Sequence, residues 1–422
     1  MNTNERLEKE TTGAWIVHHG RKISLDATAA AEFSAIDEAA KAATLLVRLG
    51  ESDETTLTND VVRAVARSAG LNPRYELEGL LTTLQRKRLI DRSTKEVAVL
   101  GITTRGVLGQ AAELFENADP QVTEFAAIKL AETVSRSPST SSDAKEYLSD
   151  EFRIPTREAA DFLTQSEQIG FVDAEGEGPE RLLFNGHLFK RDNVSKAAKV
   201  ISSLSSADQN KISEFDDLLK RSGCLPASEG NKILGHELFK KLLAVSLYDT
   251  HVVSNEKGEN VFVTSPGAFH KFVDPLVDDT FDMAKALVAA LYYGMTRSNY
   301  SRGQIHTIDA LLGKLINGGT VGPATAIGQD YRVLEERRVV RIVRCGYGFT
   351  MRLLKTEVGQ LALQVLRSGD ASAAAVVTLP SAPMSAYGDP ESARTRIRKT
   401  QSSRSKRQTL DVLSALRSGR AF

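Results

Sequence analysis

The chain lacks most of what would announce a chemistry. Two cysteines in 422 residues, Cys224 and Cys345, are too few and too far apart for a disulfide scaffold or a structural zinc site. They are expected as buried thiols in a reducing compartment. Aromatics make up only 6% of the chain, and no apolar run approaches the roughly 20 residues that a membrane-spanning helix needs. The densest stretch, Ala284–Tyr293, reads as a buried helix. The N-terminus carries Glu5, Glu8, Lys9 and Glu10 in place of a signal-peptide core, which points to the cytoplasm. Net charge is absent too. Lysine and arginine number 54, as do aspartate and glutamate, so affinity for nucleic acid has to reside in a local basic patch.

Catalytic motifs are missing as well. No nucleophile elbow, His-Glu-x-x-His pair, dinucleotide fingerprint or kinase set occurs. Gly313-Lys314 precedes most of its neighbouring glycines, and Leu315 stands where a phosphate loop needs a hydroxyl. His187, His236, His251, His270 and His306 are scattered among separate segments. His18-His19 has no third ligand at a metal-like spacing, and a polar strand end is the expectation, with Trp15-Ile16-Val17 either a short strand or the start of packing against the first module. The acids of Asp173–Glu180 lack the alternation of a calcium loop. No enzyme, cofactor or metal is expected.

What is present is a pattern that recurs. In residues 58–106, Val61, Val62, Val65 and Ala66 give a short helix one apolar stripe, which Gly70 and Asn72-Pro73 end. A second helix over 73–87 places Leu77, Leu80, Leu81 and Leu84 on one face and Arg74, Glu78, Thr82, Gln85 and Arg86 on the other. Leu89-Ile90 and Val97–Ile102 alternate like two strands around a polar tip, with Arg92 and Lys95 beside it, and Thr103–Gly106 closes the unit. A helix and hairpin closed by Thr264–Gly267 follow the same plan, as does a fourth unit closed by Lys355–Gly359. In that fourth unit Ala324–Arg337 is the expected exposed helix, with Arg332, Arg337, Arg338, Arg341, Arg344, Arg352 and Lys355 as a cationic surface.

This order of helix, turn, helix and two-stranded wing resembles the winged-helix family, and the chain as a whole resembles bacterial proteins built of serial winged-helix modules. The expected fold is mainly α with short β-hairpin wings, ending in a flexible basic tail. Its divisions are 1–134, a reduced unit at 143–196 after the connector Ser135–Ser142, 197–283, 284–368, and a tail at 369–422 with a short terminal helix. The resemblance implies a non-enzymatic, DNA-associated regulator of transcription or adaptor on duplex DNA. Candidate contacts are Arg74, Thr82, Gln85, Arg86, Arg92, Lys95, Arg332, Arg337, Arg338 and Arg344. The tail adds Arg394, Arg396, Arg398, Lys399, Arg404, Lys406 and Arg407, which can neutralise phosphates without reading bases. The acidic second wing departs from an all-DNA-binding array. A protein–protein scaffold, with a protein partner or a second copy on its wings, is the alternative.

Overall fold

The computed structural model describes residues 7–375, apart from 25–26, 51, 53, 55, 102, 190, 256–257, 273–277, 297, 299 and 374. The chain is mainly helical and carries four small three-stranded sheets among the described residues. Helices α1 (Lys9–Ile23), α2 (Ala27–Glu32) and α3 (Ser34–Gly50) lead into the first sheet. Its elements are β1 (Leu57–Thr58), α4 (Asn59–Ser68), α5 (Leu77–Arg86), β2 (Ile90–Arg92) and β3 (Glu96–Val99), followed by α6 (Thr104–Asn117). The second module runs α7 (Val122–Arg136), β4 (Ser139–Thr140), α8 (Ser141–Phe152), α9 (Thr156–Ile169), β5 (Asp173–Glu175), β6 (Leu182–Phe184) and α10 (Arg191–Ser202). The third runs α11 (Ser206–Ser222), β7 (Leu225–Pro226), α12 (Ala227–Leu234), α13 (His236–Ala244), β8 (Asp249–Asn255), β9 (Gly258–Thr264) and α14 (Gly267–His270). The fourth runs α15 (Asp278–Thr296), α16 (Ile308–Ile316), β10 (Thr320–Ala324), α17 (Thr325–Asp330), α18 (Arg332–Glu336), β11 (Val340–Cys345), β12 (Gly348–Leu353) and α19 (Thr356–Ser368).

Each module solves the same backbone problem in the same way. The opening strand pairs antiparallel with the third strand, which also pairs with the second, so the hairpin is anchored to the strand that precedes the two helices. The last helix before each hairpin ends with a left-handed residue: Arg88, Gly170, Ser246 or Arg338. The next N–H donates to a carbonyl five residues back, from Leu89 to Leu84, Phe171 to Ser166, Leu247 to Leu242 and Val339 to Leu334, at 2.8–3.0 Å. This is a Schellman closure used four times. It satisfies terminal helix carbonyls and turns an apolar side chain inward just before the hairpin starts.

The modules share cores. One cluster joins the first two, from Trp15 and Ile36 through Leu84 and Leu130 to Phe162 and Leu183. Phe272, from the third module, completes it against Trp15 at 4.6 Å between rings. A second cluster surrounds α15 and α19 and takes in Cys224 and Phe262 of the third module. Two smaller ones lie inside the third module and between it and the second. The buried Glu132 of α7 accepts from the Trp15 indole at 2.8 Å and from the Lys271 ammonium at 3.2 Å. Asn185 adds bonds to Ser135 Oγ at 2.8 Å and to the Lys271 carbonyl at 2.9 Å. Burial alone would raise the Glu132 carboxyl, but Lys271, Trp15 and Arg136 together hold it below its ordinary range.

Several expectations are corrected. Trp15-Ile16-Val17 and His18-His19 belong to helix α1, not a strand, and every one of these five residues is buried. The helix packs between α3, α6 and α7, so it has no polar face of ordinary width. Burial, reinforced by Lys22, keeps both imidazoles neutral well below their usual range. Ser135–Ser142 is not a loose connector: it ends α7, supplies β4 and starts α8. Its Ser/Thr content serves capping, with Thr140 Oγ1 accepting from Asp143 N at 3.0 Å. The second module therefore has the full set of elements rather than a reduced one. Of the two thiols only Cys224 is buried; Cys345 is exposed in the fourth hairpin. Residues 376–422, with Arg394, Arg396, Arg398, Lys399, Arg404, Lys406, Arg407 and the expected terminal helix, lie outside the described residues.

The four left-handed closures generate a stability test. Arg88 is exposed and holds a φ of 57°, where a Cβ costs about 1–2 kcal/mol that glycine avoids. Arg88→Gly is expected to raise unfolding stability by roughly 0.5–1 kcal/mol in chemical denaturation, after glycine's extra unfolded-state entropy. A loss of stability would show that the Arg88 side chain, not its backbone, holds that corner.

Candidate nucleic-acid interface

In the first module the structure places Arg74, Thr82, Gln85, Arg86 and Lys95 on the exposed side of the helix–hairpin unit. The apolar positions Leu77, Leu80, Leu81 and Leu84 are all buried beneath them, so the polar face points outward as the spacing predicts. Two of the expected contacts are already engaged. Both Arg92 guanidinium nitrogens donate to the Glu78 carboxylate, at 2.6 and 2.9 Å. The fork holds the Glu78 carboxyl below its usual range and cancels one positive charge of the hairpin. Thr82 Oγ1 donates to the Glu78 carbonyl at 2.9 Å, inside its own helix. Helix α5 also starts at Leu77 rather than at Pro73, because Asn72 forms a turn: its Oδ1 accepts from Arg74 N at 3.0 Å.

The fourth module departs further from expectation. Ala324–Arg337 is not one exposed helix but two short ones, α17 and α18, broken at Tyr331. Tyr331 is buried and Asp330 beside it is held by Arg302 at 3.0 Å, which pins the chain inward at the break. Five residues of α18 span only about 7.5 Å, less than a groove-reading helix needs to reach several base pairs. Arg332 turns its Nε to the Gly328 carbonyl at 3.0 Å, and Arg338 is the left-handed closure residue. Lys355 is half-buried, its ammonium 3.2 Å from the Met283 sulfur.

The hairpin gathers the charge instead. Strands β11 and β12 are six residues each, about 20 Å long, and are the more regular part of this module. Their register sets Arg341 directly opposite Arg352, and Arg352 in turn opposite Thr320 on β10. A row of threonine, arginine and arginine therefore crosses all three strands on one exposed face. Farther along that face stand Val343 and Thr350 as an opposed pair, then Cys345 opposite Gly348. Arg344 is exposed near the turn, and Tyr347 at the turn projects fully into solvent. Arg337, Arg338, Arg341, Arg344 and Arg352 make no ion pair among the described residues. Like charges directly opposed on adjacent strands are destabilising in isolation, and this hairpin face carries such a pair.

Neither Arg341 nor Arg352 stands out in sequence from the other arginines around it. Their pairing depends on strand register, which local composition does not display. Gly346-Tyr347 is the one local signal, a glycine with φ of 57° that forces the aromatic residue to the outside of a tight turn.

The other hairpins carry different surfaces. The second ends in Glu175, Glu177 and Glu180, the last two exposed, and phosphate is repelled there. The third exposes Val252 opposite Val261. Among the described residues no group of three or more His, Cys, Asp or Glu side chains is arranged to hold a metal ion. No described helix is long and apolar enough to cross a membrane. Comparison of the chain with protein-family models, with curated proteins and with solved structures finds no match among any of the three.

The opposed arginines make a direct prediction. Arg341→Thr is expected to raise stability at low ionic strength by roughly 0.2–1 kcal/mol, as repulsion across the ladder is removed. The gain should shrink as salt screens the exposed pair. Denaturation of both proteins at two salt concentrations checks it, and a destabilised variant would mean that the arginines support the sheet.

Proposed function

We propose that this chain is a DNA-associated regulator or adaptor of the winged-helix type, with no catalytic chemistry of its own, acting in the cytoplasm. Its fourth hairpin is the main meeting point with duplex DNA. The observation that carries this reading is the unpaired Arg341–Arg352 pair beside Thr320, with Arg344 and Tyr347 at the turn. Guanidinium groups neutralise phosphate oxygens, and a threonine hydroxyl can donate to the same backbone. The exposed ring supplies a surface for stacking or groove contact without a charge of its own. Arg74, Gln85, Arg86 and Lys95 in the first module, and the basic residues of the tail, extend the positive surface.

The order of elements supports the winged-helix reading on its own ground. An opening strand, two helices and a hairpin whose far strand pairs back to the opening strand recur four times, with the same helix closure each time. Because the helix before the fourth hairpin is so short, contact falls to the wing and is expected to be dominated by phosphates rather than by base edges. Binding of this kind is strongly salt-dependent and weakly sequence-dependent.

A scaffold role is the second reading, favoured by the exposed Val252 and Val261 pair on the third hairpin and by the acidic second one. Those two surfaces suit protein partners better than DNA.

Fluorescence anisotropy with a labelled duplex across a salt series separates the readings. The full chain is expected to bind at low salt. The double variant Arg341→Gln, Arg352→Gln should reduce the slope of log K against log salt by about two, one for each phosphate contact. Arg92→Gln, whose charge is already matched by Glu78, should leave that slope nearly unchanged. A chain ending at residue 375 measures the share of the tail. Absence of binding by the full chain at low salt would remove the DNA reading and leave the scaffold.

A further inference from the structure

A cavity of about 300 Å³ opens where the second, third and fourth modules meet. His187 and Asn193 line it from the second module, Ser246, Asp249 and His270 from the third, and Asp282 with Lys285 from the fourth. Asp249 opens strand β8 of the third hairpin, and neither the DNA reading nor the scaffold reading uses the cavity.

Lys285 is the unusual feature. Its side chain is only 4% exposed, an expensive position for an ammonium group. Three N–H donors leave that nitrogen. One is taken by Asp249 Oδ2 at 2.6 Å. The Asp282 carboxylate stands at 3.7 Å, close enough for ion pairing and too far for a hydrogen bond. The Phe269 ring, 5.6 Å away, offers its face rather than an acceptor. Among the described residues, the buried ammonium on the cavity wall therefore has donor capacity left over. The two carboxylates around it have acceptor capacity left over as well, since Asp282 is 62% exposed and Asp249 is 33% exposed.

The charges decide what class of ligand this wall can take. A simple acid would place its carboxylate beside two others, with only a cation that Asp249 already shares. A simple amine would satisfy the carboxylates and leave the spare Lys285 donors only the neutral imidazole, hydroxyl and amide groups of the wall, with no charge to meet. A molecule bearing both groups answers both needs, because each of its ends meets the opposite charge through a charge-assisted hydrogen bond. The volume suits a molecule of amino-acid size with its side chain directed between the modules.

We propose that this junction cavity binds a small zwitterion of the amino-acid class, carboxylate toward Lys285 and ammonium toward Asp282 and Asp249. The occupant touches three modules at once, so it fastens the fourth module to the second and third. Ligand binding to the folded chain stabilises it by mass action, which gives a readout independent of any DNA.

The test is titration calorimetry on the full chain with each proteinogenic L-amino acid, paired with its decarboxylated amine and its deaminated acid. At least one amino acid is expected to bind, with both one-ended counterparts weaker by about tenfold or more, the loss of one charge-assisted bond. Asp282→Asn, a change at an exposed side chain that leaves the Lys285–Asp249 pair in place, should weaken that amino acid by about tenfold. Asp309→Asn, another exposed carboxylate paired instead with Arg367, should leave it unchanged. The proposal is overturned if no amino acid binds, if an amine or acid alone binds as tightly, or if Asp282→Asn binds like the parent protein.

Discussion

A buried carboxylate, Glu132, governs how the halves of this chain are joined. It lies on the last turn of α7, where a lone charge would be costly, and it is matched by Lys271 from the far end of the third module and by the indole of Trp15 from the first helix. Breaking a buried pair of this kind leaves the remaining charge without a partner, whereas an apolar replacement of both members can be neutral. The pair is therefore better understood as fixing register between modules than as a large source of stability. Its neighbour Phe272 enters the first core directly, and Asn185 holds the Lys271 carbonyl. Burial pushes Asp370 above its ordinary range, and beside it Ala371 N donates to the Ala268 carbonyl at 2.8 Å, which ties the end of the fourth module to the third.

Once the modules are fixed relative to each other, identical backbones can carry different surfaces. The four helix closures at Arg88, Gly170, Ser246 and Arg338 are the same device, and each delivers a hairpin at its end. What the hairpins present is not the same. The first has an arginine cancelled by Glu78, the second ends in acids, the third shows an opposed valine pair, and the fourth opposes two arginines with no counterion among the described residues. A chain with no net charge can hold a cationic patch in this way, because strands β11 and β12 contain no acid.

The repeat itself was legible in the sequence because hydrophobic spacing reports which side of a helix or strand is buried. Leu77, Leu80, Leu81 and Leu84 fall inside as their spacing requires, and the hairpins at Ile90–Val99 and Val340–Leu353 form where alternation places them. Long-range pairing was not legible. Trp15–His19 looks like a polar-ended strand until α3, α6 and α7 surround it, and only then does an all-round buried helix make sense. Ser135–Ser142 has linker composition, but its hydroxyls cap a helix and its backbone completes a sheet with β6. The break at Tyr331 depends on Arg302, nearly thirty positions earlier, reaching Asp330. The Arg341–Arg352 opposition and the cavity around Lys285 arise from register and from module contacts, neither of which a local window contains.

By fixing that register, Glu132 and Lys271 are expected to make the joined modules unfold as one body. Hydrogen exchange in rising denaturant, read separately on α7 and on α15, tests it most directly. In the parent protein both helices should open with the same free energy and the same denaturant dependence. With Lys271→Met, which removes the cation that reaches Glu132 from the third module and leaves it Arg136 of its own helix and the Trp15 indole, the two helices should separate into distinct openings, α7 the lower. Separate openings already present in the parent, or a single shared opening retained in the variant, would show that Glu132 and Lys271 do not couple the modules.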